Sequence, residues 1–397
     1  MKIIGVDVIT IKGSGAGRPV LCRVMTDEGI YGYGEAALTI GIGSGPVRAA
    51  IMDMAPMVMG MDPFANEAVW EKLRHASFWG LSNGVILMAA ISAIDMALWD
   101  IKGKACQVPL YKLLGGKCRD RLRSYASQVH FGWGLDASAP DCPKVASPEW
   151  FRMSAKAAVG EGFDAIKIGV IFHDIEGGYI TYQDASGLLT PVLRKLAEER
   201  LAAARDGAGP DVDIILEHHS LTNATSSVQI GKMAEKYDIL FMEEATAPVN
   251  PEVMRRIADQ ISIPLATGER TYTRWGYLPF LENGSLAVIQ PDIGTCGGIT
   301  EAKKICDMAH VYDVGVQVHL ASTPVSYAAG LHLAAAIPNF VIHEHHIIAN
   351  NPAMVEMCLY DYRPIQGYAE VPERPGLGQE LTEKALSEAD IVNVTEQ

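Results

Sequence analysis

Three short apolar segments, VDIILE (212–217), DILFME (238–243) and PLATGE (264–269), each end in a glutamate, and these glutamates recur at an interval of 26 residues. An interval of this length fits one strand–helix unit of a β/α barrel. All strands of such a barrel open at their carboxyl ends onto one face, so residues displaced by one unit become neighbours. The sequence therefore predicts a barrel with three carboxylates at its mouth.

Three carboxylates packed together would repel one another and take up protons unless a cation lay between them. Hard oxygen ligands at this density are what Mg²⁺ requires. We therefore predict that Glu217, Glu243 and Glu269 bind a divalent metal ion, with Mg²⁺ favoured.

The interval continues beyond these acids. Asp292 ends SLAVIQPD after 23 residues, His319 ends VGVQVH after a further 27, and Glu344 ends FVIHE after a further 25. A single acid after an apolar run is more often a solvated loop residue or a neighbour of a helix cap. Six ionisable groups in register are not explained that way, and polar groups at the carboxyl ends of barrel strands are typically catalytic.

The chain has 397 residues, which suits a barrel of about 250 residues plus another unit. Residues 1–120 predict an α+β unit that includes a hairpin around DEGIYGYGEA (27–36). Residues 121–350 alternate between strand and helix patterns and form the predicted barrel. We expect residues 351–397, which include the proline-rich RPGLG, to pack back on the first unit.

Composition narrows the possible partners and location. A net charge of −14 argues against nucleic acid or an anionic membrane surface as a partner, because both require a basic patch. The seven cysteines include no CxxC pair, which disfavours a disulfide framework or a zinc site and fits a reducing cytoplasm. Neither a signal peptide nor an uncharged apolar span of about 18 residues is apparent. We expect a cytoplasmic protein.

Several motifs together resemble the enolase superfamily and, within it, the acid-sugar dehydratases similar to mandelate racemase. The resemblance covers nearly the whole chain, and the combination is more specific than any one motif. The motifs are YGYGEA (31–36), AISAIDMALWDIKGKACQVPLYKLLGG (90–116), FMEE (241–244), PLATGER (264–270), IQPDIGTCGGIT (289–300) and PERPGLG (372–378).

This resemblance implies a fold and a chemistry. The expected fold is a (β/α)7β modified TIM barrel with an α+β N-terminal capping domain. The expected cofactor is one Mg²⁺ ion, held by the three glutamates of the 26-residue interval. The expected reactions begin with removal of the proton α to a carboxylate.

The resemblance also assigns roles to single residues. Asp292 and His319 resemble the family's dyad, in which the acid orients the imidazole that accepts the proton. Glu344 resembles the acid of the eighth strand that binds the substrate carboxylate as it becomes an enediolate. Lys167, in FDAIKIG, matches the first lysine of a Lys-x-Lys motif and would supply a cation close to the developing charge.

Two positions depart from the family pattern. Gly169 replaces the second lysine of the Lys-x-Lys motif, which removes the usual base from the opposite face of the substrate and disfavours a two-base racemase. Glu217 stands where the first metal ligand is usually aspartate, so its side chain is one methylene longer.

Loss of a β-hydroxyl requires a proton donor because hydroxide is a poor leaving group. His219 is the candidate, since alternation along a strand would place Glu217 and His219 on one face and His218 on the other. The acid-x-His pattern resembles sugar-acid dehydratases in which this histidine is the acid. His219 could instead be a metal ligand or a packing residue.

Further residues are candidates for substrate binding. Arg270 follows the third predicted ligand, where it could bind the distal end of the substrate or form a structural salt bridge. We expect lids at 12–22 and 132–149 to choose the sugar, with Arg18 and Trp133 in contact with it. His343, His345 and His346 cluster around Glu344 and are expected to shape the pocket rather than to form a second metal site.

The sequence thus favours a Mg²⁺-dependent dehydratase of an aldonate-type acid sugar that forms a 2-keto-3-deoxy acid. We expect a small-molecule carboxylate substrate and a homo-oligomer. A cycloisomerase or one-base epimerase of an acid sugar or its lactone would use the same enediolate. A catalytically inactive superfamily member with a binding role is the third reading.

Overall fold

An eight-stranded parallel barrel and a smaller antiparallel sheet make up the protein, as given by a computed structural model that describes residues 1–11, 17–174 and 176–395. Most of the glycine-rich segment in the predicted first lid lies outside the described residues. The strands are β1 (Ile3–Thr10), β2 (Val20–Thr26), β3 (Tyr31–Ala36), β4 (Arg121–Ser127), β5 (Ala165–Ile168), β6 (Asp213–Glu217), β7 (Ile239–Glu243), β8 (Leu265–Thr267), β9 (Val288–Ile289), β10 (Gly315–Val316), β11 (His343–His346), β12 (Tyr368–Glu370) and β13 (Asp390–Thr395).

Helices precede, connect and follow the barrel strands. They are α1 (Ser44–Val58), α2 (Asn66–Ala76), α3 (Val85–Ala105), α4 (Leu110–Leu113), α5 (Pro148–Gly160), α6 (Tyr182–Ala185), α7 (Pro191–Ala208), α8 (Ala224–Ala234), α9 (Pro251–Ala258), α10 (Thr273–Glu282), α11 (Gly298–Val311), α12 (Pro324–Ala336), α13 (Pro352–Val355) and α14 (Glu383–Glu388). No helix in these described ranges is long and apolar enough to cross a membrane.

The barrel strands are hydrogen-bonded in the order β10-β9-β8-β7-β6-β5-β4-β11. A parallel bridge between Val316 and Phe340 joins β10 to the segment that leads into β11. The first seven barrel strands, β4 to β10, are each connected to the next barrel strand through a helix of eight or more residues. The last barrel strand, β11, runs instead into a single 3-10 turn at Ile347–Asn350. The predicted (β/α)7β barrel with an N-terminal α+β capping domain is confirmed.

Several barrel helices begin at a capping residue followed by proline. The side chains of Ser147, Thr190, Asn250 and Thr323 each accept a hydrogen bond from a backbone N–H in the first turn. Proline fits the first helical position because its missing N–H would have no helical partner there. These short sequences therefore fix where the chain turns from the mouth of the barrel into the outer helices.

An apolar layer fills the interior of the barrel and determines which residues face its mouth. Ala165, Ile215 and Phe241 belong to this layer, together with Tyr125 and Ile342. Side chains alternate along a strand, so the residue two positions further points inward again, nearer the mouth. The residues two positions beyond these five are Lys167, Glu217, Glu243, Ser127 and Glu344.

The YGYGEA motif explains how the capping domain packs. A Cβ atom on Gly32 would lie 2.2 Å from the carbonyl oxygen of Ala97, and one on Gly34 would lie 1.9 Å from that of Ala93. Glycine at both positions lets β3 lie directly on α3. The predicted hairpin is confirmed as β2 and β3, which pair antiparallel, and β13 pairs with β1 at the other side of this sheet.

Glu35, in the same motif, ties the capping domain to the barrel. Its fully buried carboxylate accepts hydrogen bonds from the backbone N–H of Thr323 at 3.0 Å, the Thr323 hydroxyl at 2.6 Å and the Ser326 N–H at 3.2 Å. These donors lie at the start of α12, where a negative charge is favourable. The contact holds the segment that follows β3 above the strand ends.

Candidate active site

A cavity of about 500 Å³ lies between the strand ends of the barrel and residues 37–40 of the capping domain. Five of the predicted site residues line it. The lining side chains are Ala37, Leu38, Thr39, Ile40, Val85, Gln128, His219, Glu269, Arg270, Tyr272, Asp292, Thr295, His319, Ala321 and His346.

Lys167 forms the centre of a buried charge cluster beneath the cavity. Its ammonium lies 3.1 Å from Glu217, 2.8 Å from Glu243 and 2.9 Å from Glu344. All four side chains are fully or almost fully buried. The structure therefore brings together two predicted metal ligands, the predicted cation and the acid of the eighth strand.

Burial and neighbouring charges shift the pKa values in this cluster. Burial alone would lower the pKa of Lys167, but Glu243 and Glu344 raise it well above its usual value. Burial, followed by the charge of Glu217, raises the pKa of Glu243 to about 8. Although burial opposes it, Lys167 holds the pKa of Glu344 well below its usual value. One ammonium thus leaves part of the negative charge uncompensated.

His319 is hydrogen-bonded on both ring nitrogens. Its Nδ1 donates to Asp292 Oδ2 at 2.7 Å, and its Nε2 lies 3.0 Å from Glu269 Oε2. The other oxygen of Asp292 accepts from the backbone N–H of Gly294 at 2.8 Å, which fixes the carboxylate. Burial would lower the pKa of His319, but Glu269 and Asp292 raise it well above its usual value.

Arg270 forms ion pairs with both Glu244 and Glu269. Glu244 is fully buried and also accepts hydrogen bonds from the Ser220 hydroxyl at 2.5 Å and the Thr267 hydroxyl at 2.7 Å. The structural salt bridge considered for Arg270 is therefore present, although its side chain also lines the cavity. Sequence reasoning missed Glu244, for which the only signal was the second acid of FMEE.

His219 reaches the cavity by a different route from the one predicted. Strand β6 ends at Glu217, and His219 has a left-handed backbone with φ of 47°, so strand alternation does not apply. The turn itself directs the ring to the cavity, where Nε2 lies 3.3 Å from Gln128 Nε2. Burial lowers the pKa of His219. His218 points away, as predicted, and its Nδ1 lies 3.0 Å from the Thr222 hydroxyl.

Phe172 occupies the space beside Gly169. A Cβ atom at Gly169 would lie 1.7 Å from the Phe172 ring, so no side chain fits there without displacing it. The ring stacks on His130 with centroids 4.8 Å apart and meets His219 edge-on at 5.0 Å. The face that would carry a second lysine is thus formed by aromatic rings.

Two predicted substrate contacts are corrected. Trp133 is 1% exposed and packs against Phe163 and His345, outside the cavity. His345 bonds to Asn350 at 3.0 Å behind the strand. Since Glu344 faces the barrel interior, alternation along β11 turns its neighbour outward.

Other parts of the cavity lining were predicted from the sequence to different extents. Residues 132–149 contribute no side chain to the cavity lining. Arg18 lines an adjoining groove that shares Thr39 and Ile40 with the cavity. Gln128 and His346 line the cavity itself. His346 is one of the histidines expected to shape the pocket, whereas Gln128 was missed as a candidate. Gln128 lies just beyond β4, a strand end outside the regular spacing of acids.

The carboxylate oxygens of the predicted metal site suit a hard cation, but the three glutamates are not arranged around a common metal position. Among the residues that the structure describes, no group of three or more His, Cys, Asp or Glu side chains is arranged to hold a metal ion. Glu217 and Glu243 are paired in register on adjacent strands, whereas Glu269 is turned to His319 and Arg270. Glu243 Oε2 is buried and has no hydrogen-bond donor within the part of the chain that the structure describes. A buried carboxylate oxygen without a donor is a suitable ligand atom for Mg²⁺.

Comparison with known proteins defines the family. Residues 8–115 match the N-terminal domain of the mandelate racemase/muconate lactonizing enzymes, and residues 150–385 match the enolase C-terminal domain-like family. The chain therefore belongs to the mandelate racemase/muconate lactonizing enzyme family of the enolase superfamily.

Curated relatives and solved structures agree with this assignment. The D-gluconate dehydratase of Thermoproteus tenax is 34% identical over 92% of this chain and 69% of its own length. The D-galactonate dehydratase of Variovorax paradoxus is 32% identical over 94% of this chain and 91% of its own length. A member of the enolase superfamily from Salmonella Typhimurium is 50% identical, with a TM-score of 0.95 over 99% of this chain and 100% of its own. The 3,6-anhydro-D-galactonate cycloisomerase of Zobellia galactanivorans is 26% identical, with a TM-score of 0.82 over 98% of this chain and 100% of its own.

Proposed function

We propose that the protein is a Mg²⁺-dependent dehydratase that converts an aldonate-type sugar acid into a 2-keto-3-deoxy acid. The enzyme class, a hydro-lyase acting on a sugar acid, is that of its dehydratase relatives. The observation that carries the proposal is a pair of cavity histidines, His319 and His219, on strand ends four positions apart around an eight-stranded barrel. Two such groups face a bound substrate from opposite sides.

The proton α to a carboxylate is very weakly acidic, so the site must stabilise the enediolate. We assign Glu217, Glu243 and Glu269 as the residues that would hold Mg²⁺. When bound, the ion supplies Lewis-acid stabilisation of the substrate carboxylate. Lys167 adds a fixed positive charge beneath the cavity, beside the proposed ligands Glu217 and Glu243. Glu344, on the last barrel strand β11, forms an ion pair with the Lys167 ammonium.

His319 is the proposed base. The hydrogen bond from Nδ1 to Asp292 places the accepting nitrogen at Nε2 and stabilises the imidazolium that forms. The role requires Nε2 to be free of Glu269, which pairs with it in the structure.

His219 is the proposed acid, which protonates the departing β-hydroxyl. Its Nε2 faces Gln128 and lies 3.8 Å from Glu217 Oε2. Because β6 and β10 lie across the barrel from each other, the proton leaves from one face of the substrate and the hydroxyl from the other.

A cycloisomerase is the second candidate, and the fold shared with the Zobellia galactanivorans enzyme favours it. Such a reaction needs the His319–Asp292 base and the enediolate but expels no water. An epimerase that uses a second base is disfavoured, since Phe172 fills the space beside Gly169.

The test is a screen of aldonic and other sugar acids in the presence of Mg²⁺, with a colorimetric assay for 2-keto acids and mass spectrometry of the products. We expect a product lighter than its substrate by one water molecule. A product of unchanged mass would identify a cycloisomerase or an epimerase. Turnover of no acid by a protein that binds Mg²⁺ would favour the binding role.

The metal assignment has its own test. Mg²⁺ should raise the melting temperature of the wild-type protein, because a ligand that binds only the folded state stabilises it. Glu243→Gln should abolish both that shift and turnover, since it removes a charged oxygen ligand. Absence of any stabilisation by divalent cations would contradict the ligand assignment.

A further inference from the structure

We propose that Glu244, which is absent from the cavity lining but forms an ion pair with the lining residue Arg270, is a positioning residue for the metal site. It links the carboxyl ends of β6, β7 and β8, and one proposed ligand lies at or just beyond each of these strand ends. This inference rests on the proposed function, in which Glu217, Glu243 and Glu269 hold Mg²⁺.

The contacts of Glu244 reach the strands on both sides of its own. On one side the hydroxyl of Ser220, which lies three residues after the proposed ligand Glu217, donates to Glu244 Oε2 at 2.5 Å. On the other side the Thr267 hydroxyl of β8 donates to Oε1 at 2.7 Å. Arg270, the residue after ligand Glu269, completes the set with an ion pair. One carboxylate therefore joins three consecutive strand ends.

The backbone at these strand ends adopts conformations that need such support. His219 and Ser220 have φ of 47° and 56°, and Glu244 has φ of 54°. Residues other than glycine rarely adopt this left-handed region, and they persist in it where surrounding contacts enforce it. The Ser220 N–H also donates to the Glu244 carbonyl at 3.0 Å, so the side-chain and backbone bonds hold the same two turns together.

Arg270 transmits the effect of Glu244 to the third ligand. Its guanidinium contacts both Glu244 and Glu269, so Glu244 fixes the position of a cation that lies directly against the ligand carboxylate. If Glu244 were replaced by glutamine, Arg270 would lose one of these two carboxylate partners and keep Glu269. The guanidinium would then compete more strongly with Mg²⁺ for Glu269.

The matched control is Glu35, a second fully buried glutamate that accepts hydrogen bonds from three donor groups. Its donors lie on Thr323 and Ser326 at the start of α12, and it makes no bond to the loops after β6, β7 or β8. Replacement of either glutamate by glutamine removes one buried charge. Only the replacement at Glu244 alters the support of the proposed ligands.

The experiment is isothermal titration calorimetry of Mg²⁺ into the full-length wild-type protein, Glu244→Gln and Glu35→Gln. Loss of a residue that orients metal ligands typically weakens metal affinity by about 10- to 100-fold. We expect an increase of this size in the Kd of Glu244→Gln and a Kd within about twofold of wild type for Glu35→Gln. Ser220→Ala and Thr267→Val each remove one donor and should raise the Kd by smaller factors.

The outcomes separate this inference from the proposed function. Wild-type protein that binds no Mg²⁺ would overturn the metal assignment and this inference together. Wild-type binding with an unchanged Kd for Glu244→Gln would overturn the positioning role alone, as would equal weakening in Glu35→Gln. If Glu244→Gln does not fold, unchanged affinities in both Ser220→Ala and Thr267→Val would overturn it.

Discussion

The two sides of the cavity hold their histidines in contrasting ways. On one side both ring nitrogens of His319 are paired with carboxylates, Asp292 at 2.7 Å and Glu269 at 3.0 Å. On the other side the His219 ring lies nearly perpendicular to the Phe172 ring and faces the amide of Gln128. The pKa of His319 is raised well above its usual value, whereas burial lowers the pKa of His219. The same side chain is thus tuned in opposite directions by its surroundings.

These directions are the reverse of those that the reaction requires, because a base must be neutral and an acid must carry a proton. Glu269 makes the largest contribution among the charges that raise the pKa of His319. Glu269 is also a proposed metal ligand. A carboxylate that binds a divalent cation no longer presents its full charge to a neighbour. An anionic substrate in the cavity would correspondingly favour the protonated form of His219. In the proposed mechanism, both protonation states therefore depend on the bound metal and substrate.

The largest predicted effect concerns the charged side of the cavity. His319→Asn should lower turnover by about 10²- to 10⁴-fold, the range expected for loss of a general base. The measurement is steady-state formation of the 2-keto acid at saturating Mg²⁺. Asparagine keeps a hydrogen-bond donor beside Asp292, but its amide cannot act as a base. An undiminished rate would place the base elsewhere, with Lys167 the first alternative.

The second effect concerns the aromatic side. His219→Gln should slow product formation by about 10²-fold, the lower end of the range for a general acid. The KM should change little, since the variant retains a polar side chain in the lining. Comparison of kcat and KM with wild type provides the check. Wild-type turnover would return His219 to the packing or ligand reading.

The smallest effect tests the aromatic contact itself. Phe172→Leu removes the edge-on contact with His219, and such contacts contribute about 0.5–1.5 kcal/mol. We therefore expect kcat to fall by roughly 2- to 10-fold. His130→Phe, which alters the other ring stacked on Phe172, is the comparison variant. A loss as large as that of His219→Gln would show that Phe172 does more than orient the imidazole.

The barrel could be predicted from the sequence because its strand–helix unit repeats along the chain. The regular spacing of acids predicted strand ends that the structure places at β6, β7 and β11, and the segment DEGIYGYGEA (27–36) predicted the hairpin. The hydrophobic alternation also implied which residues face inward. These features depend on local pattern, which a single sequence carries.

The turns after the strands were not readable in the same way. His219 was assigned by alternation, but the strand stops at Glu217 and a left-handed turn directs the ring. Glu244 was missed because its importance lies in contacts with Ser220 and Arg270 on neighbouring loops. Positive φ values and contacts between loops arise from tertiary packing, which periodicity does not encode.

Alternation, applied consistently, would have corrected one misplaced residue. His345 follows Glu344 on β11, so it must face the outer helices if Glu344 faces the interior. Trp133 could not be corrected in this way, because a 3-10 turn at Val129–Phe131 and a left-handed Gly132 direct the chain into the core. An irregular segment of this kind gives no period from which to read a face.

The central claim is that the two sides of the cavity act on different bonds, and proton exchange in D₂O tests it most directly. NMR of recovered substrate reports removal of the α proton, and the 2-keto assay reports loss of the hydroxyl. His219→Gln should incorporate deuterium at the α position while forming little product, whereas His319→Asn should do neither. Full dehydration by His219→Gln would contradict the assignment of separate roles to the two histidines.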